Sequence, residues 1–345
     1  MLMACFRFGL LVATLFGSLQ VAAAPRYWTL TGVGFYGYPA TASSGYFSYD
    51  DATQTISNWN VEVAPLFHLG CFPGFTYVPG NSTTSVIQTP GAGAPTLLFS
   101  ATMSVPGPFF GMRQLRITPL AALDGSNATV SIANSASREA FEPLPGCGWT
   151  VLFGGPAVYA GSLTLTPLPP PTAIAQVDEF YHSGLRHYFI TADAAEKQVL
   201  DTGVHSGWIR TRESFKAYAK GSNTSGSVNP VCRFYSPPQI CSYYACEVGP
   251  DSHFFSADAG ECLTVSRSYG RIYGEEMNNA FQINLPDKTS GACQVGTTPV
   301  YRLWNQRVDS NHRYTTSVAI KAQMIASGYL AEGYGPDGVV MCAVQ

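Results

Sequence analysis

Three histidines in the C-terminal half are the residues of this sequence best spaced to do chemistry. His187, His253 and His312 each open a short motif: His187-Tyr188-Phe189-Ile190-Thr191, His253-Phe254-Phe255-Ser256-Ala257 and His312-Arg313-Tyr314-Thr315-Thr316. If the motifs stand at equivalent places around an axis, three imidazoles could converge. Three such nitrogens at about 2.1 Å from an ion would make a catalytic-type zinc site. The preferred expectation is plainer. Each histidine starts its own strand and bonds its own turn, and neither a metal nor another cofactor is required.

Arg233 and Arg302 also hold matching places, with Glu179 in the first motif. They are candidates for polar contacts in a ligand groove, against local ion pairs on a strand face. Trp208, Tyr273 and Tyr329, with Tyr181 and Trp304, have flat rings with polar rims that suit sugar faces; in small repeated units such rings otherwise serve as core. Asp50-Asp51 is too little for calcium, which takes six to eight oxygens, and a hairpin turn accounts for the pair. His68 has no partner pattern. The sequence holds no Gly-x-Ser-x-Gly elbow, His-Glu-x-x-His helix, phosphate loop or dinucleotide fingerprint. A glycosidase carboxylate pair leaves no local trace, so no catalytic residue is named.

The elements that must position these residues recur. Val177-Asp178-Glu179-Phe180-Tyr181, Val231-Cys232-Arg233-Phe234-Tyr235 and Val300-Tyr301-Arg302-Leu303-Trp304 precede the histidine motifs. Helix-like stretches follow at 192–201, 257–266 and 317–327. Thr191, Ser256 and Thr316 are placed to cap them, since a hydroxyl accepts from the orphan N–H groups of a first turn. Glu196 and Glu261 read as helix-face residues. Gly207-Trp208, Tyr269-Gly270 and Gly328-Tyr329 then restart a strand, glycine suiting a left-handed C-cap. The unit is strand, strand, short helix, strand, three times over residues 173–345, an α+β pseudo-threefold arrangement.

This pattern resembles a secreted bacterial repeat domain classed as a domain of unknown function. The third copy keeps most of the pattern: Tyr301-Arg302-Leu303, His312, Tyr314-Thr315-Thr316, Gly328-Tyr329 and Glu332-Gly333. The first has Thr211 where the glutamate is expected, and the second departs most, at Gly274-Glu275-Glu276. The resemblance implies a compact exported module and no reaction.

Residues 25–166 read as strands with turns between them, the pattern of an antiparallel β-sandwich. Examples are the runs at 27–33, 45–50, 55–63, 96–103, 113–120, 129–133 and 158–165. In the third of these, period-two alternation slips near Asn58. Trp28-Thr29-Leu30-Thr31-Gly32-Val33, Ser44-Gly45-Tyr46-Phe47-Ser48-Tyr49-Asp50 and Ser57-Asn58-Trp59 resemble a β-sandwich module of exported bacterial proteins. Residues 167–172, with Pro169-Pro170-Pro171, form an extended spacer between the two domains. All lysines of the chain lie beyond it.

Arg7, the apolar run Leu10–Phe16 and Ala22-Ala23-Ala24 read as a secretory signal over residues 1–24, cut after Ala24. The run is well short of the ~20 residues that span a bilayer. Cys5 lies inside the signal. The remaining cysteines, Cys71, Cys147, Cys232, Cys241, Cys246, Cys262, Cys293 and Cys342, form an even set, as expected of disulfides in an exported chain. The favoured pairing is Cys71–Cys147, Cys241–Cys246, Cys262–Cys293 and Cys232–Cys342. The net charge of −3 and the lack of a basic run argue against nucleic acid.

The expectation is a secreted or periplasmic monomer with no transmembrane segment once processed. It would act as a binding or surface-interaction module for a glycan or cell-envelope component. The alternatives are an envelope-polymer hydrolase and a structural spacer without a small ligand.

Overall fold

The computed structural model describes residues 25–35, 38–64, 74–88, 94–104, 110–134, 136–141, 158–166, 172–222, 224, 228–241, 246–268, 276–277 and 279–345. The signal segment, His68, Cys71, Cys147, Tyr273 and the spacer up to Pro171 lie outside these residues. The described chain is β-rich and built from several antiparallel sheets.

The first half contributes β1 (Arg26–Phe35), β2 (Tyr38–Asp50), β3 (Thr55–Val63), β4 (Phe75–Tyr77), β5 (Thr83–Ile87), β6 (Thr96–Ser104), β7 (Phe110–Ile117), β8 (Thr129–Ser131), β9 (Arg138–Phe141) and β10 (Val158–Thr166). They form a six-stranded sheet in the order β4-β3-β2-β1-β10-β8 and a four-stranded sheet in the order β5-β6-β7-β9. The inward residues of both sheets make one core, with Phe47 of β2 edge-on to Phe99 of β6 at 5.8 Å. The alternation slips near Asn58 because β3 bulges there. Tyr46 pairs Asn60 and Ser48 pairs Ser57, so Asn58 and Trp59 together oppose Phe47, and Asn58 takes a φ of 46°. Asp50 shapes the β2–β3 turn by accepting from the N–H groups of Ala52 and Thr53. Asp51 pairs with Arg26 at 2.6 Å. The acidic pair is thus used up by the hairpin.

The second half contributes β11 (Ile174–His182), β12 (His187–Thr191), α1 (Ala194–Asp201), β13 (Trp208–Tyr218), β14 (Val228–Pro230), β15 (Cys232–Ser236), β16 (Gln239–Cys241), β17 (Cys246–Val248), β18 (Ser252–Ser256), α2 (Ala259–Ser268), β19 (Glu276–Met277), β20 (Gln282–Asn284), β21 (Thr297–Trp304), β22 (His312–Thr315), α3 (Val318–Ala326), β23 (Leu330–Glu332) and β24 (Val339–Val344). Three segments share one ladder order: β12-β11-β13, β18-β15-β19 and β22-β21-β23. In each, a helix links the hairpin to the outer strand. The first and third segments belong to one nine-stranded sheet, joined through β20 and β24, whereas the second has a sheet of its own.

The ladder registers align the segments on hydroxyls. Thr191 lies across from Asp178, Ser256 from Cys232 and Thr315 from Tyr301. Each hydroxyl accepts from the N–H two residues on, at Asp193, Asp258 and Ser317. Those next residues cap the helices: Asp193, Asp258 and Ser317 accept from the N–H of Glu196, Glu261 and Ile320. Thr191, Ser256 and Thr316 are therefore not the caps; the Thr191, Ser256 and Thr315 hydroxyls set the preceding turn instead. At the far ends, Gly203 (φ 73°) and Gly328 (φ 90°) take the left-handed position, and the next N–H reaches back, Val204 to Val199 O and Tyr329 to Met324 O. In the third segment Gly328 both ends the helix and starts the strand. The first segment divides these tasks between Gly203 and Gly207.

The halves are not insulated by the spacer. Leu263 of α2 is buried in the core of the first two sheets, with Ala259 packed beside it. The Tyr46 hydroxyl donates to Ser222 O at 3.1 Å, and Lys220 pairs with Glu62 at 3.0 Å.

The disulfides exchange two of the expected partners. Cys232 of β15 is bonded to Cys262 of α2, with Cα atoms 6.1 Å apart, and Cys293 to Cys342 of β24, at 5.7 Å. Cys262–Cys293 and Cys232–Cys342 do not form. The reason is local: α2 folds straight back over the hairpin that holds Cys232, which puts Cys262 within bonding reach. Cys246 is disulfide-bonded and lies across from Cys241 in the β16–β17 ladder.

Candidate functional site

The three histidines do not meet. His187 is fully buried; its Nδ1 donates to the Asp251 carbonyl oxygen at 3.0 Å, and its Nε2 lies 3.5 Å from Asp309 Oδ2. His253 is sandwiched between Tyr235 and Phe189, each ring centre 4.6 Å away. Burial, helped by the charge of Arg233, pushes its pKa down to about 3, so the ring is neutral. His312 puts Nε2 3.1 Å from Glu332 Oε2 and stands edge-on to Phe254 at 5.3 Å. Among the described residues no group of three His, Cys, Asp or Glu side chains is arranged to hold a metal ion.

The physical reason is a register offset of one residue. His253 lies across from Tyr235 and His312 across from Trp304, but the residue across from Tyr181 is Tyr188. The places that match His187 are Ser252 and Asn311. These do come together. Asn311 Nδ2 donates to Ser252 Oγ at 2.9 Å and to Tyr188 O at 3.0 Å, while its Oδ1 accepts from Tyr188 N–H at 2.7 Å. One layer further in, Ile190, Phe255 and Tyr314 are all buried. The Tyr314 hydroxyl donates to Phe255 O and accepts from Phe255 N–H, at 2.8 and 2.9 Å. Convergence therefore occurs one residue before the second and third histidines, and it produces a hydrogen-bonded knot over an apolar centre.

Arg233 and Arg302 are buried, not displayed in a groove. Arg233 lies over the Phe189 ring at 5.6 Å and makes a two-pronged contact with Glu196, at 2.7 and 2.8 Å. Arg302 lies over Phe254 at 4.8 Å, grips Glu261 at 2.7 and 3.0 Å and donates from Nε to Glu332 at 3.0 Å. Each arginine thus reaches from its own hairpin to the helix and ring of the preceding segment. Burial raises the Glu196 carboxyl, but the hydrogen bonds from Arg233 and Thr191 outweigh it and hold the group below the usual range. Glu332 is held low in the same way, by His312 and the charge of Arg302 working against burial. Glu179 takes the equivalent strand position with the opposite charge. It accepts twice from Arg313 at 2.9 Å and once from the Thr211 hydroxyl at 2.7 Å. Glu196, Glu261 and Arg313 are site-building residues that sequence reasoning left aside. The equal spacing of the two glutamates from the caps was the available signal.

The aromatic candidates separate. Trp208 is half-buried, edge-on to His182 at 5.3 Å and to Phe189 at 5.9 Å. Trp304 Nε1 donates to Ser310 Oγ. Tyr329 joins Tyr181 and Tyr188 in a half-buried group, with the latter two rings 4.8 Å apart and Arg313 over Tyr188 at 4.3 Å. Burial, offset in part by Arg313, pushes the Tyr188 hydroxyl up to about 12, and burial also raises Tyr329. Beside this seam a cavity lined by Val177, Glu179, Glu213, Tyr314 and Thr315 has room for about one water molecule.

Fold and site together define a disulfide-bonded, β-rich module in which Arg233, Arg302 and Glu179 are turned inward onto charged partners. Residues 242–338, a span that takes in β17 through β23, match the model of a family described as "Domain of unknown function (DUF5648)". No curated protein and no solved structure matches the chain. No helix among the described residues is long and apolar enough to cross a membrane.

Proposed function

We propose that the three segments are copies of one unit closed about a pseudo-threefold axis, and that the chain is an exported binding module for a glycan or another cell-envelope component. The observation that carries this reading is the group Tyr181, Tyr188 and Tyr329. These half-buried rings lie beside one another, and adjacent flat rings with a polar rim suit sugar faces. The disulfides and the signal-like N-terminus favour a secreted or periplasmic location. Arg186, exposed in the β11–β12 turn beside the rings, would favour a ligand with acidic or hydroxyl groups, whereas Arg307 is held by Asp309.

The test is binding of the processed chain to a glycan array and to envelope preparations, in parallel with the Tyr181→Ala/Tyr329→Ala variant. The expected result is binding by the unaltered chain and its loss in the variant, at a temperature where both are shown to be folded. Absence of binding by the unaltered chain in both formats removes the reading.

A further inference from the structure

The three junctions between units are built on two charge patterns. At the first-to-second junction Arg233 crosses Phe189 to Glu196; at the second-to-third, Arg302 crosses Phe254 to Glu261. The third-to-first junction reverses the sign at the strand position and changes the charge at three others. The strand position of Arg233 and Arg302 holds Glu179. The ring position of Phe189 and Phe254 holds Arg313. The helix position of Glu196 and Glu261 holds Ile320, packed with Tyr188 on a shared apolar cluster. The outer-strand position, Glu332 in the third unit and Met277 in the second, holds Thr211 in the first.

Each change follows from the first. A buried carboxylate at 179 needs its cation from the facing unit, and the facing side chain that passes close is at the ring position, hence Arg313 at 2.9 Å. A glutamate at 320 or 211 would then set carboxylate against carboxylate in a poorly hydrated seam. Ile320 brings no charge, and Thr211 donates its hydroxyl to Glu179. The substitutions form one device, not separate drift.

We propose that this inverted seam specifies the order of the units, so that the third unit accepts the first and neither of the others. An out-of-turn docking would bury Arg313 against Arg233 or Arg302, or Glu179 against Glu196 or Glu261. Buried like charges are the repulsive element by which an interface rejects a wrong partner. The consequence is that the arrangement closes only where a third unit meets a first, which within one chain happens at three units. This inference rests on reading the segments as copies.

The experiment is refolding of the processed chain from denaturant with its disulfides intact, read by size-exclusion chromatography with light scattering. The first variant gives this seam the pattern of the second-to-third junction: Glu179→Arg/Thr211→Glu/Arg313→Phe/Ile320→Glu. The second, Glu179→Arg/Arg313→Glu, keeps an ion pair at the seam but gives the first unit the charge of the others. The unaltered chain is expected to return as one species. Both variants are expected to return as a spread of larger assemblies. A variant that refolds to the single species of the unaltered chain overturns the inference, as does failure of both variants to fold, because a seam that only encodes order tolerates a reversed pair. A first variant with a native melting curve and a single species keeps the copies and sinks the seam alone. A first variant that cannot fold, beside a swap variant that refolds as one species, sinks the copies as well. If only the first variant fails to fold, assemblies of the swap variant still sustain the inference.

Discussion

A guanidinium nearly sealed from water must bring its counter-charges with it, and Arg302 brings two, Glu261 and Glu332. Its removal would leave both carboxylates facing an apolar seam. Arg302→Leu is therefore expected to cost about 3–5 kcal/mol, the range for breaking a buried pair. Asp337→Ala, which removes the largely exposed partner of Lys321 and leaves the lysine over Tyr301, should cost about 0–1 kcal/mol. Urea titration of the two variants checks the contrast; equal shifts would mean that the seam is hydrated. His253 sets a second expectation, for acid. Its folded pKa of about 3 lies below the unfolded value of about 6.5, so between these limits the unfolded chain binds the extra proton. The stability that depends on a neutral His253 is complete above about pH 6.5 and is lost as pH falls toward 3. Glu196 and Glu332, held low in the fold, add a loss that begins only below the ordinary carboxylate range of about 4.3. Melting temperature should thus begin to fall near pH 6.5, and His253→Phe should flatten the curve between pH 6 and pH 4. A variant curve parallel to the original in that interval would show that His253 is not the group responsible.

The helices are short, and their starts matter accordingly. Ser317→Ala removes the acceptor for Ile320 N–H and is expected to cost about 0.5–2 kcal/mol. Faster hydrogen exchange confined to the first turn of α3 would verify it, and unchanged protection would contradict it. The order strand, strand, helix, strand was legible in the sequence because apolar runs, a hydroxyl and a glycine punctuate every segment. The register was legible only in part. Aligning on histidine places His187 beside His253 and His312, whereas the backbone aligns on Thr191, Ser256 and Thr315, whose hydroxyls turn the chain into the helix. The caps were misplaced for a different reason: the Thr191 and Ser256 hydroxyls set the turn before the helix, and the caps, Asp193 and Asp258, follow two residues later. The ion pairs were illegible for another reason. Glu196 and Glu261 find their arginines in the following segment, 37 and 41 residues away, so no local spacing connects them. The cysteine partners likewise follow from how α2 folds over its own hairpin, a tertiary fact.

At the scale of the molecule, the middle segment departs from the other two because it alone places its helix in the core of the first half. Counted from the caps, Leu263 occupies the place held by Gln198 in α1 and Ala322 in α3, both exposed. A leucine on that face would be unfavourable in water; here it is buried among the strands of the first two sheets. The proline-rich spacer suggested two bodies joined by a rod. The shared core, the Tyr46–Ser222 hydrogen bond and the Lys220–Glu62 pair instead couple them, and coupled bodies unfold together. The processed chain should accordingly melt in one calorimetric transition with its disulfides intact. Leu263→Ala gives α2 the residue that α3 carries at this place, and alanine is the best helix former, so the helix itself tolerates it. The change nevertheless withdraws a side chain from the core of the first half, at a cost of about 2–5 kcal/mol. The expected trace has two transitions, the earlier one belonging to the first half and the later one, near the original temperature, to the second. A single transition shifted as a whole would mean that the halves are held together by contacts other than this helix face, and two transitions in the unaltered chain would show that Leu263 packs without coupling.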